Sequence, residues 1–381
     1  MGAQQRFGLG LVVGKFAPLH RGHEWLVEQA AARCDRLLIL SYTRPEFERC
    51  DPATRQRWMD ACFAGHECIA LDDAWLTQRC AERGIEERSV PPNGSDDATH
   101  HGFLAWLLGT ALQRRPDAMF CSESYGQRCA ADLSRMLGHP VAAVEADPQR
   151  LRHPISASRI RQAPQSHLNW LSPEVRKSFT LRVAVLGGES SGKSTLAEAL
   201  AQVLGTCWVP EYGRELWERQ NGVLLESDLL HIAREQLQRE ADALACADGV
   251  LVCDTTPLTT WGYALWMFGR ADPELAQLAR HPYDALILCE PDFAFVQDGT
   301  RRDDGFRQRQ HDWYLTQLQN VHCPVLRLDK DVPTRVRNAA HWLNRVLGVH
   351  ASASQEADRP ASPSPTWLAQ RMLPPGPISN R

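Results

Sequence analysis

The chain has 381 residues, 43% of them hydrophobic and 23% charged, with a formal net charge of -4. Those values describe an ordinary globular chain of two or three domains, and the charge balance argues against a nucleic-acid partner. No apolar run approaches the roughly 18 to 20 residues of a membrane span, so no membrane partner is expected.

The N-terminal half alternates strand-like and helix-like stretches. FGLGLVV at 7–13 reads as a buried strand, 22–33 as a helix and 36–42 as a strand. Asp51 and Pro52 then open a helix running to Phe63, with Asp as N-cap and Pro at the first helical position. CIALDD is a strand, and 64–100 otherwise carries no motif. An apolar helix is expected over 99–114, a strand over 117–122, a helix over 126–137 and a strand over 140–146. Such alternation implies a mainly parallel sheet covered on both faces.

The pattern stops in a segment with several prolines and restarts at LRVAVLGG. The second half then reads as strand 181–187, helix 193–204, a long helix 226–246, strand 249–254, helix 257–268, strand 284–289, helix 305–320, strand 324–328 and helix 333–347. We therefore expect an α/β chain with domains over 1–177 and 178–349. A Pro- and Ser-rich tail, 350–381, has the composition of a disordered segment. The 12 cysteines lack any CxxC pair, and several lie inside apolar runs. This usage fits small buried thiols in a reducing cytoplasm. A homo-oligomer is compatible with everything read so far.

GGESSGKST at 187–195 matches G-x-x-x-x-G-K-[ST] between a strand and a helix. In such a loop Gly187, Gly188 and Gly192 let backbone N–H groups converge on phosphate. Lys193 reaches the terminal phosphates, while Ser194 is placed for Mg²⁺ and Thr195 lies in the same turn. ATP is the expected co-substrate. Asp254 ends the strand GVLVCD, where a second metal-side carboxylate or a general base belongs. Glu211 and Tyr212 follow a short strand, where polar residues face the ligand crevice. Arg301, Arg302, Arg307 and Arg309 lie between a strand and a helix, the place for a lid that brings Arg to the transferring phosphoryl group. This half reads as a small-molecule kinase.

GKFAPLHRGH at 14–23 places two histidines three apart across a Gly. Paired metal-ligand histidines on a helix are usually four apart with a third ligand close by. A strand, a Gly-containing loop and a helix start argue instead for phosphate, held by imidazole N–H groups at a helix N-terminus.

GKFAPLHRGH resembles the G-x-F-x-P-x-H-x-G-H motif of the nucleotidyltransferase superfamily, and ISASRIR at 155–161 resembles its partner motif. The resemblance implies a Rossmann-like nucleotidyltransferase domain followed by the P-loop kinase domain. His20 and His23 would act on the ATP phosphates. Gly14, Lys15 and Phe16 would belong to the nucleotide site, and Ser156, Ser158 and Arg161 would hold the triphosphate from a second helix N-terminus. With EYGRE and DTTPLTT added, residues 7–347 are similar to NadR-type bifunctional proteins. These pair nicotinamide mononucleotide (NMN) adenylyltransferase with ribosylnicotinamide kinase. The resemblance implies NAD biosynthesis from nicotinamide riboside and ATP, with Mg²⁺. Glu211, Tyr212 and Asp254 are the implied riboside contacts. The helix-turn-helix domain of some members is not matched, so a DNA-binding role has no support in this reading. Two alternatives stay open: a fused phosphopantetheine adenylyltransferase and dephospho-coenzyme A kinase, and a nucleotide sensor with one inactive site.

Overall fold

The computed structural model describes residues 6–122, 125–147, 149, 151–292 and 304–349. The chain divides into two compact units, Met1–Phe179 and Thr180–Arg381.

In the first unit the chain runs β1 (Phe7–Gly14), α1 (Arg21–Ala31), β2 (Cys34–Ser41), α2 (Pro52–Cys62), β3 (Glu67–Ala70), α3 (Asp73–Arg83) and α4 (Asp97–Trp106). It continues with β4 (Ala118–Cys121), α5 (Gly126–Leu137), β5 (Ala142–Glu145), α6 (Ala157–Gln162) and α7 (Pro173–Phe179). The sheet order is β3-β2-β1-β4-β5, with every pairing parallel. Alternate residues of β2 serve opposite cores. Leu37 and Ile39 pack with α1, α2 and α7, while Leu38 and Leu40 pack with α3, α4 and α5. Each fully buried leucine contributes about 2 to 3 kcal/mol, so both faces are needed. The chain leaves β1 toward β2 on one side and returns to β4 on the other. That reversal opens a crevice at the C-terminal ends of the strands.

The apolar stretch expected as one helix over 99–114 is instead α4 followed by a π-helical turn, Leu107–Leu112. It ends at Gln113 in the left-handed region, with φ of 53°.

The second unit runs β6 (Leu181–Leu186), α8 (Lys193–Leu204), β7 (Trp208–Val209), α9 (Tyr212–Arg219), α10 (Glu226–Ala243), β8 (Val250–Asp254) and α11 (Pro257–Phe268). Then come α12 (Pro273–Leu278), β9 (Ala285–Cys289), α13 (Asp304–Gln317), β10 (Val325–Leu328) and α14 (Val332–Leu347). Its sheet is also parallel, in the order β10-β9-β6-β8-β7. Val183 and Val185 of β6 face α8 and α14, and Ala184 and Leu186 face the other layer. A further apolar cluster joins α9, α10, α11 and α12.

Ten cysteines lie outside any disulfide, seven of them buried. Cys207 and Cys246 depart from the expectation of free thiols. They are bonded to each other, with Cα atoms 6.2 Å apart. They are 39 residues apart, so no local spacing announces the pair. No helix among the described residues is long and apolar enough to cross a membrane. The tail read as disordered lies outside the described residues.

Candidate active sites

In the first unit β1 delivers the chain to a loop that ends at His20, the N-cap of α1, in extended geometry. The two histidines replace the usual Ser/Glu capping box. His20 Nδ1 accepts the Gly22 N–H at 3.2 Å, and His23 Nδ1 accepts the His20 N–H at 3.3 Å. A neutral imidazole that accepts through Nδ1 donates through Nε2. The rings stack with centroids 3.7 Å apart, and His20 is buried. A Cβ on Gly22 would lie 3.1 Å from both Cε1 and Nδ1 of His20. The intervening glycine is therefore a packing requirement of the pair. Phe16 packs edge-on against His23, centroids 4.9 Å apart.

The second motif comes to the same place. Ser156 caps the six-residue α6 by accepting the Arg159 N–H at 3.2 Å. Arg161 donates from one guanidinium nitrogen to the Ala17 carbonyl and from another to Ser158 Oγ at 3.0 Å. Its guanidinium lies 3.9 Å from the Phe47 ring centroid, and burial holds its pKa below the usual arginine value. Gly14, Lys15, Phe16, His20, His23, Ser156, Ser158 and Arg161 all line one cavity of about 490 Å³. The motif-free segment supplies another wall: Asn93, Ser95, Asp97 and His100 also line it. Burial and the nearby Lys15 charge lower the pKa of His100.

In the second unit the loop after β6 needs its glycines. Gly187 has φ of 154° and Gly192 has φ of 77°. A Cβ on Gly187 would lie 2.5 Å from Ser191 Oγ and 3.2 Å from the Cys289 carbonyl oxygen. Lys193 starts α8, is buried, and places Nζ 3.7 Å from Glu211 Oε2. Asp254 ends β8 and is 1% exposed. Burial pushes its pKa up to about 6, against the pull of Lys193 and a hydrogen bond with Ser194. Its Oδ1 has no hydrogen-bond partner among the described residues.

Several residues here have no signature in the sequence. Gln310 of α13 accepts the Glu189 N–H at 2.8 Å, and Tyr263 of α11 donates to Glu189 Oε1 at 3.1 Å. Arg335 of α14 is wholly buried. It donates to the carbonyls of Ser191 at 2.7 Å, Lys330 at 2.8 Å and Glu290 at 2.9 Å, and it pairs with Asp292. One guanidinium thus ties the phosphate loop to the end of β9.

A second cavity, about 360 Å³, opens beside Lys193 and is lined also by Glu211, Arg214, Gln236, Thr255 and Tyr263. Tyr212 is not among its walls. Its ring is buried in the apolar cluster under α10, its hydroxyl meets His231 Nε2 at 3.0 Å, and Arg239 stacks on it at 4.2 Å. Arg307 forms an ion pair with Asp304 on its own helix, and Arg309 lies over Phe306 at 5.6 Å. Arg301 and Arg302 lie outside the described residues.

The two folds and their loops define a transferase with a nucleotidyltransferase unit followed by a P-loop kinase unit. The AAA domain family matches residues 182–335. The trifunctional NAD biosynthesis/regulator protein NadR of Salmonella typhimurium (strain LT2) is 30% identical over 307 residues, covering 77% of this chain and 71% of that protein. The NadR of Escherichia coli (strain K12) is 30% identical over 311 residues, covering 78% and 72%. The fold matches a crystal structure of NadR protein in complex with NAD and AMP-PNP at TM-score 0.69, with 19% identity over 94% of this chain and 99% of that one. A NadR structure in complex with NR matches at TM-score 0.70, with 20% identity over 93% and 99%. The chain belongs to the NadR family.

Proposed function

We infer that the chain is a bifunctional NAD-biosynthesis enzyme. The second unit moves the γ-phosphoryl group of ATP to nicotinamide riboside, giving NMN and ADP. The first unit moves AMP from a second ATP to NMN, giving NAD and pyrophosphate. The observation that carries this reading is the pairing of two separate phosphate grips, each beside its own cavity, in a member of the NadR family.

In the kinase unit Lys193 neutralises the transferring phosphate. Asp254 takes up the proton of the attacking riboside hydroxyl, and its raised pKa suits that role. Glu211 holds Lys193 in the site and reaches the acceptor. The Ser194 hydroxyl and the Asp254 carboxylate are hard oxygen donors suited to Mg²⁺, and the partnerless Asp254 Oδ1 fits such an ion. Bound Mg²⁺ would supply charge neutralisation on the phosphates.

In the adenylyltransferase unit the Nε2–H donors of His20 and His23 face charge developing on the phosphates, and Lys15 adds a cation. Ser156, Ser158 and Arg161 hold the triphosphate. The NMN phosphate attacks the α-phosphorus in line, with no covalent intermediate. We take both reactions to be cytoplasmic, a reading that the mostly unbonded, buried cysteines support.

The test is separability. Lys193→Ala should stop NMN formation from the riboside and leave NAD formation from added NMN intact. His23→Ala should do the reverse. Loss of both activities in either variant would contradict two independent sites.

A further inference from the structure

The kinase-side cavity holds two buried polar groups that the phosphate chemistry does not use. Gln236 of α10 is 1% exposed and lines the cavity. Its Oε1 accepts the Tyr212 N–H at 2.9 Å. That bond fixes the amide orientation, because the oxygen must face the donor. Nε2, with two N–H groups, has no hydrogen-bond partner among the described residues. Thr255 is 4% exposed and lines the same cavity, and its Oγ1 also has no partner among them. Its φ of 76° is a rare setting for a β-branched residue, of the kind found at functional sites. Buried polar atoms without partners cost stability, so two on residues that wall one cavity need a reason.

Position narrows what they meet. Thr255 directly follows Asp254, and Gln236 holds the backbone directly after Glu211. Asp254 and Glu211 flank Lys193, where the phosphoryl group transfers. Both residues thus adjoin, in the chain or through a hydrogen bond, the groups around Lys193. The cavity walls at Trp217, Leu224 and Met267 are apolar and suit a flat ring.

Resting on the kinase reading above, we propose that Gln236 and Thr255 form a ribose-reading pair. Gln236 Nε2–H donates to one of the 2′ and 3′ hydroxyl oxygens, Thr255 Oγ1 bonds the other, and the unit thereby selects ribosides over deoxyribosides.

The experiment is a cycle between enzyme and substrate. Initial rates are measured with ATP and Mg²⁺ on nicotinamide riboside and on its 2′-deoxy and 3′-deoxy analogues. The proteins are wild type, Gln236→Met and Thr255→Val. For each variant kcat/KM on the riboside should fall about 10- to 100-fold, the range expected for losing one hydrogen bond to a buried group. The same variant should lose less than about threefold on the analogue that lacks its partner hydroxyl. KM for ATP should not move. A variant that merely loosens the fold, for example by freeing the Tyr212 N–H, would penalise all three nucleosides equally. Equal penalties, or none on the riboside, would overturn the inference. Absence of riboside turnover by wild type would instead overturn the kinase reading, and the inference with it.

Discussion

His20 and His23 stack on one another, with each Nδ1 accepting a backbone N–H of the turn that carries them. In the neutral form, the helix start thus leaves Nε2 as the donor of each ring. Spacing follows from this. Three residues is the reach of a reciprocal cap, and the residue between must be small where it touches His20.

Gly22→Ala tests that relationship without removing either histidine. The added Cβ meets the His20 ring at 3.1 Å, so the ring must shift. The shift of a few tenths of an ångström that this requires should lower adenylyl transfer about 3- to 10-fold. NMN formation from the riboside should stay at the wild-type rate. A steady-state assay of each half-reaction checks both.

Asp254 gives a pH prediction. Burial raises its folded pKa to about 6, so at low pH the carboxyl holds its proton and cannot accept another. Kinase kcat/KM should therefore rise with pH through about 6 and then level off. Higher Mg²⁺ should move the inflection down, because the cation favours the carboxylate. Asp254→Asn should remove the inflection and lower kcat by about 10²- to 10⁴-fold.

Much of this was legible from residue pattern. Asp51 and Pro52 cap α2 as their types require, with Asp51 accepting the Thr54 N–H. The expected ranges 126–137, 193–204 and 257–268 coincide with α5, α8 and α11. The two glycine-containing loops stood out because their patterns are local: glycines, a lysine and histidines within ten residues. Arg335, Gln310 and Gln236 were not readable. Each acts through one side chain on backbone far away in sequence, and an isolated Arg or Gln on a helix looks like solvated surface. The segment 64–100 was silent for a similar reason, since Asn93, Ser95, Asp97 and His100 gain meaning only as walls of a cavity. Tyr212 misled in the other direction. It directly follows Glu211 at the strand end, yet helix α9 turns its ring into the core.

Glu240 predicts how stability varies with pH. It is wholly buried, and Oε1 accepts from Tyr283 at 2.9 Å with Cys253 and Arg182 close by. Burial raises its pKa from 4.5 to about 7. The folded state thus holds a proton that the unfolded chain has released, so stability is lost as pH rises from about 4.5 to 7. Glu240→Gln removes this loss. The variant's Tm should gain on wild type between pH 5 and pH 8, as thermal melts at those two values would show. A gap independent of pH would contradict the assignment.

Arg335→Met should lower stability by about 1 to 3 kcal/mol. It removes the donor to three carbonyls, one of them on the loop before α8, while the exposed Asp292 keeps the Lys330 N–H. Denaturant unfolding measures the loss. At temperatures where the variant stays folded, its KM for ATP in the kinase reaction should rise, while NAD formation from added NMN should not change.

If one chain performs two consecutive transfers on a pyridine nucleoside, a time course of purified protein with nicotinamide riboside, ATP and Mg²⁺, with products resolved, should show both. NMN should appear first and NAD after a lag, with ADP tracking the first product and pyrophosphate the second. Absence of both pyridine products, with turnover of coenzyme A precursors instead, would contradict the account.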